Sequence, residues 1–143
     1  MRFEDTLDLW HEFVTDPQVH ILDEILADNV KFHSPFVWKP KLGKATATAI
    51  LMTVAEVFDD FGYVREIVAG NQWALEFEAK IGDLDVRGVD LFELDADGKV
   101  IDLEVMVRPA NGLQALGLEM ARRLAQQSPL VQDLLTQPAE HSE

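Results

Sequence analysis

From Gly62 onward, apolar and polar residues alternate with a period of two, and three glycine-bearing dipeptides, Gly70-Asn71, Gly82-Asp83 and Asp97-Gly98, interrupt the alternation. Alternation of this kind marks strands buried on one face, and such dipeptides are the usual two-residue turns between antiparallel neighbours. The segment therefore predicts four consecutive strands in a meander. The turns also set the register. If Gly82-Asp83 is a tight turn, Ile81 faces Leu84, Lys80 faces Asp85, Glu78 faces Arg87 and Leu75 faces Asp90. With Asp97-Gly98 as the next turn, Leu94 faces Ile101, Phe92 faces Leu103 and Asp90 faces Val105. Opposite charges then sit together on one face, and the other face is apolar except at Asp90. A slip of one residue would place the whole apolar set in water, so the register is strongly specified.

Upstream of residue 62 the period is helical. Phe3, Leu7, Trp10 and Val14 share one helix face, ending near Thr15. Asp16-Pro17 reads as the start of a short second helix burying Leu22, Ile25 and Leu26. Val30 to Ser34 alternates as a strand that Pro35 stops, and Phe36 to Leu42 reads as a loop. Gly43-Lys44 precedes a third helix with Ala47, Leu51, Val54, Phe58 and Phe61 on one face, and Asn111 caps a helix carrying Leu113, Leu116, Met120 and Leu124. Residues 1–127 are read as one domain, and 128–143 as a short helix at Ser128-Pro129 with a frayed tail.

Composition removes several function classes. The net charge of −14 repels phosphate backbones and anionic headgroups, so neither nucleic acid nor a membrane is expected as a partner. Without cysteine there are no disulfides, thiol nucleophiles or thiolate metal sites. His11, His20, His33 and His141 lack ligand spacing, and no glycine-rich phosphate loop or nucleophile elbow occurs, so no metal and no cofactor is expected. The acidic N-terminus MRFEDTLDLW does not read as a signal peptide, and the stretch around Ala45–Ala55 is too short to span a bilayer. The expectation is a cytoplasmic protein.

Asp90 is the residue that asks for an explanation. A carboxyl on a buried face either finds a donor or holds its proton at raised pH, and perturbed carboxyls concentrate in ligand pockets. Phe77, Phe92 and Val105 share its face and are expected to line such a pocket, with Trp38 at the mouth because its loop follows a strand end. Two further groups are open to alternative readings. Glu66 pairs with Leu75 in the row of Asp90 and either joins it as a second acid or is turned outward by a bulge to meet Arg65 and Glu76. His33, a candidate base, points away from Ser34 by alternation and otherwise serves structure or an interface.

The order of elements, with the stretches LADNVKFHSPF (Leu26–Phe36), LGKATA (Leu42–Ala47) and GVDLFELDADGKV (Gly88–Val100), resembles the nuclear transport factor 2 superfamily, and within it SnoaL-like cyclases and ketosteroid isomerases. The resemblance covers about residues 3 to 124. It implies an α+β fold: a cone-shaped, curved antiparallel sheet (a cystatin-like roll) packed on the N-terminal helices around a pocket. It also implies a small, mostly apolar ligand with one polar group, and cofactor-independent proton transfer if the protein is an enzyme. The alternative is a non-catalytic dimerisation or ligand-sensing domain. By resemblance, Asp90 falls where the isomerases keep a protonated acid that donates to an oxyanion. Trp10 falls where they place the oxyanion-hole tyrosine, and Ser34 where they place the general-base aspartate. A serine hydroxyl does not replace that base without an activator, so the isomerase set survives only in part. A homodimer is expected through the outer sheet face or the adjoining helix, because Tyr63, Ile67, Val89, Leu91 and Met106 would otherwise expose apolar area.

Overall fold

A computed structural model describes residues 1–126 of the chain. The order is α1 (Phe3–Thr15), α2 (Val19–Ile25), β1 (Leu26–His33), β2 (Lys41–Leu42), α3 (Lys44–Val57), β3 (Asp59–Ala69), β4 (Gln72–Ile81), β5 (Leu84–Leu94), β6 (Val100–Arg108) and α4 (Ala110–Leu124). The short helix and tail expected beyond residue 127 lie outside the described residues. None of the described helices is long and apolar enough to cross a membrane.

The six strands form one curved sheet in the order β2-β1-β6-β5-β4-β3. The meander β3 to β6 is antiparallel throughout, as its tight turns require. β1 runs parallel to β6, so the sheet as a whole is mixed. No hairpin joins these two strands, since the entire meander lies between them in the chain, and nothing forces them to be antiparallel.

The β4–β5 register is the one the turn chemistry predicts, from Ile81–Leu84 through Leu75–Asp90. In β5–β6, Phe92 faces Leu103 and Asp90 faces Val105 as expected, but Leu94 faces Val100 rather than Ile101, because a bulge absorbs one residue next to the turn. Boundaries move in four other places. α3 stops at Val57, so Phe58 and Phe61 leave the helix and Phe61 joins β3. Gln18 rather than Asp16 precedes α2. Pro109 precedes α4, leaving Asn111 inside its first turn. The loop before α3 carries the two-residue strand β2, which pairs with β1 through Phe32–Lys41.

All four helices cover the inner face of the sheet. α1 lays Trp10 and Phe13 onto it, and α2 sends Ile21, Leu22 and Ile25 into the same core. α3 packs against β1 and α4, and α4 lies across β4, β5 and β6. Leu26, Leu75, Leu94, Val100 and Leu103 from the strands share one core with Leu22 and Ile25 of α2, all with almost no exposed area. Burying each such side chain contributes about 1.5–3 kcal/mol. The core fills one end of the cone, and the other end is left open.

Candidate ligand pocket

The open end is a cavity of about 660 Å³. Its aromatic wall is Phe58, Phe61 and Phe77, with Phe61 stacked on Phe77 at 4.8 Å between ring centres. The opposite wall is aliphatic, from Ile50, Leu51 and Val54 on α3 and Leu116, Met120 and Leu124 on α4. Gly88 makes room for Phe77, since a Cβ at that position would lie 2.4 Å from the ring.

Asp90 is the only acid on this wall among the described residues, and it is 6% exposed. The Tyr63 hydroxyl donates to Asp90 Oδ2 at 2.6 Å, and the Trp10 indole N–H donates to the same Tyr63 oxygen at 2.9 Å. The chain of donors therefore runs from Trp10 to Tyr63 to Asp90 and leaves Oδ1 for whatever fills the cavity. Burial pushes the Asp90 pKa up to about 7, and the Tyr63 hydrogen bond pulls against it by favouring the ionised form. Tyr63 is itself held well above its ordinary value, first by burial and then by the negative charge and hydrogen bond of Asp90. A carboxyl balanced near neutrality can donate to a ligand oxygen when protonated and take a proton when ionised.

The other expected residues divide into those on the wall and those off it. Trp10, Ser34, Phe77 and Val105 line the cavity. The Ser34 hydroxyl accepts the backbone N–H of Phe36 at 3.2 Å and of Val37 at 3.4 Å, so it caps the loop that forms the rim. Phe92 stands one layer behind, edge-on to Trp10 at 5.0 Å, where it supports the indole without reaching the cavity. Trp38 is a correction: it is 95% exposed and turned to solvent, while its neighbours Pro35, Phe36 and Val37 take the rim. His33 is a second correction. It points to the outer face, as alternation requires, and its Nε2 meets Asp102 at 3.0 Å, away from the cavity.

Glu66 follows neither alternative. It does face Leu75, yet its carboxylate meets His11 Nε2 of α1 at 2.9 and 3.1 Å, while Arg65 pairs with Glu76 without it. The expected bulge exists but falls earlier, between Tyr63 and Arg65. That shift turns Tyr63, expected on the outer face, inward beside Phe77. The signal that could have found it is the need of a buried Asp90 for a donor, since Tyr63 is the only tyrosine in the chain. Lys41 on the rim was also missed, because β2 is too short to be read as a strand.

The structure is similar to a steroid delta-isomerase from Pseudomonas aeruginosa, with 42% identity, a TM-score of 0.83 and coverage of 86% of this chain and 91% of that one. The chain belongs to the nuclear transport factor 2-like superfamily. A protein conserved in bacteria with a cystatin-like fold, from Silicibacter pomeroyi, is 35% identical over 85% of this chain and 86% of its own, with a TM-score of 0.81. At 17% identity, a protein from Jannaschia described as a SnoaL-like polyketide cyclase shares the nuclear transport factor 2-like fold, with a TM-score of 0.65 over 78% of this chain and 90% of that one. Neither a family model nor a curated protein sequence matches the chain.

Proposed function

We propose that this protein binds a small, mostly apolar molecule and places one oxygen of it against the carboxyl of Asp90. The observation that carries the reading is a carboxyl, balanced near neutrality and fixed by Tyr63, on the wall of an apolar cavity of about 660 Å³. Apolar walls supply affinity through burial, and one convergent polar group supplies orientation. The chemistry that suits such a site is proton transfer of the isomerisation, cyclisation or dehydration kind. The 42% identity to a protein described as a steroid delta-isomerase supports that class and leaves the substrate of this chain unnamed. A non-catalytic domain is favoured less, because Trp10, Phe77 and Phe92 do not fill the cavity.

2-Naphthol tests the reading, since it combines an apolar bicyclic body with one hydroxyl and reports its surroundings by fluorescence. Wild type is expected to bind it, and Asp90→Leu to weaken binding by about tenfold, the worth of one hydrogen bond to a carboxyl. Equal binding by both would sink the Asp90 contact. No saturable binding by wild type, for the naphthol or for uncharged bicyclic ketones, would sink the pocket reading.

A further inference from the structure

We propose that the ligand of this cavity carries a carboxylate at the end remote from Asp90, and that Lys41 and Ser34 on the rim receive it. The inference rests on the ligand-binding function proposed for the cavity and adds a second polar anchor to it. Among the described residues, Lys41 is the only cationic side chain on the cavity wall. Asp90, Ser34 and Lys41 are the only side chains there that present a charged group or a hydroxyl.

The β1–β2 pairing places the lysine. Lys41 lies directly opposite Phe32 in that antiparallel pair, and directly opposed residues share a face. Phe32 is buried and lines the cavity, so Lys41 is directed to the same side. From Lys41 the row runs through Phe32 and Leu103 to Phe92, two residues from Asp90 on β5. Three steps between neighbouring strands separate β2 from β5. At the usual strand spacing that is roughly 14 Å along the sheet, so the two groups mark different ends of the cavity. The electrostatics agree, since Asp90 answers to burial and to Tyr63, with no contribution from Lys41.

Ser34 adds a donor at the rim. Its oxygen is fixed by the backbone N–H groups of Phe36 and Val37, while its own proton goes to no acceptor among the described residues. A hydroxyl that accepts two N–H groups is polarised into a better donor. An ammonium and such a hydroxyl at one opening suit a carboxylate. One lysine, with no arginine on the wall, matches a single negative charge better than the near-double charge of a phosphate monoester. Ionised Asp90 repels an anion, so the oxygen placed against it is a neutral hydroxyl or ketone. The ligand class is then an apolar hydroxy acid or keto acid with its two oxygen groups at opposite ends. The net charge of −14 opposes any anion at long range, but at about 0.15 M salt that repulsion is screened beyond roughly 8 Å, and the contact at the rim decides.

Fluorescence titration at that ionic strength tests the site with matched pairs: 2-naphthol against 6-hydroxy-2-naphthoate, and 4-phenylphenol against the longer 4′-hydroxybiphenyl-4-carboxylate. With wild type, the acid of at least one pair is expected to bind about tenfold tighter than its uncharged parent, the worth of one charge-assisted hydrogen bond. Lys41→Met keeps an apolar stem and removes the charge, and is expected to abolish that preference or invert it. Ser34→Asp puts a negative charge on the rim and is expected to lower the ratio of acid to parent affinity at least about tenfold, a check that does not depend on the folding of the Lys41 variant. Asp90→Leu is expected to weaken acid and parent alike and keep their ratio. The isomer 3-hydroxy-2-naphthoate holds its two groups side by side and is expected to show no preference over 2-naphthol. Parents that bind while neither acid binds better would overturn the carboxylate site and leave the cavity reading standing. A preference that survives both Lys41→Met and Ser34→Asp would also overturn it. No saturable binding of the parents would sink the cavity reading, and this proposal with it.

Discussion

At the scale of single residues, the site is a matter of one carboxyl and the donor behind it. Asp90 was legible because the strand register left it as the single polar residue on a buried face, and burial raises a carboxyl pKa. Tyr63 was not, because its direction depends on a bulge that no residue type announces. The raised Asp90 pKa has a definite sign in stability. The unfolded chain releases this proton near 3.8 and the folded chain near 7. The stabilising contribution is therefore full below 3.8, declines as pH rises towards 7, and is absent above. At 1.36 kcal/mol per unit, the total is roughly 4 kcal/mol. Asn at position 90 still accepts the Tyr63 hydroxyl and cannot ionise, so Asp90→Asn is expected to gain stability over wild type steadily between pH 4 and 7. Thermal melts of both proteins across that range measure it, and a constant difference would contradict the raised acid. Tyr63→Phe removes a donor to the ionised form, so carbon-13 NMR of the Asp90 carboxyl is expected to show a further rise in pKa. A fall would mean that Tyr63 does not stabilise the carboxylate.

At the scale of elements, the sequence speaks most clearly where two independent constraints agree. β4 and β5 satisfied a turn rule, an alternation rule and a charge-pairing rule at once, and every pair from Ile81–Leu84 to Leu75–Asp90 stands as read. β3 satisfied alternation alone. It carries register shifts on both sides of Gly62-Tyr63, and Asp60 has a positive φ of 52°, so alternation read straight through the strand assigns Tyr63 to the wrong face. β2 and the parallel β1–β6 pairing depend on contacts between segments distant in the chain, which local periodicity does not encode. Gly88 shows how closely these elements fit. A Cβ there would lie 2.3 Å from the Met106 carbonyl oxygen on β6 and 2.4 Å from the Phe77 ring on β4. The Phe77 ring can swing aside, but the Met106 carbonyl is backbone, so β5 and β6 must also move apart and disturb the wall that Phe77 forms. Gly88→Ala is expected to cost about 1–3 kcal/mol in urea unfolding and to weaken 2-naphthol binding together with it. Loss of neither would show that the contact between β5 and Phe77 is loose.

At the scale of the whole molecule, the curved sheet and the helices across it leave one cavity open, and a fold of this kind does not by itself name a reaction, so any chemistry rests on the groups on that wall. Moving a proton between two carbons of a Δ5-3-ketosteroid needs a base for the carbon and donors for the dienolate oxygen. Protonated Asp90 is a donor of the second kind, and among the described residues the cavity wall offers no other carboxyl. Glu66 is engaged with His11, and His33 lies on the far face with Asp102. Ser34 is on the wall, but its oxygen is occupied by two backbone N–H groups and its proton is not released near neutral pH. A missing general base costs about 10²–10⁴-fold. Wild type is therefore expected to turn over Δ5-3-ketosteroids far more slowly than an enzyme that carries the base. Ser34→Asp tests the reason. An aspartate can accept the same two N–H groups in an Asx turn, so the rim loop is expected to persist. Those same N–H groups lower the new carboxylate's pKa and weaken it as a base, so a gain on the order of tenfold is expected rather than the full factor. Trp10→Tyr is expected to gain less, because it alters a donor already spent on Tyr63. The readout is the rise of conjugated-enone absorbance for wild type, each single variant and the double variant. Rapid turnover by wild type would refute the argument from Ser34. It would also point to the carboxyl of Asp90, the one acid on the wall among the described residues, as the base itself.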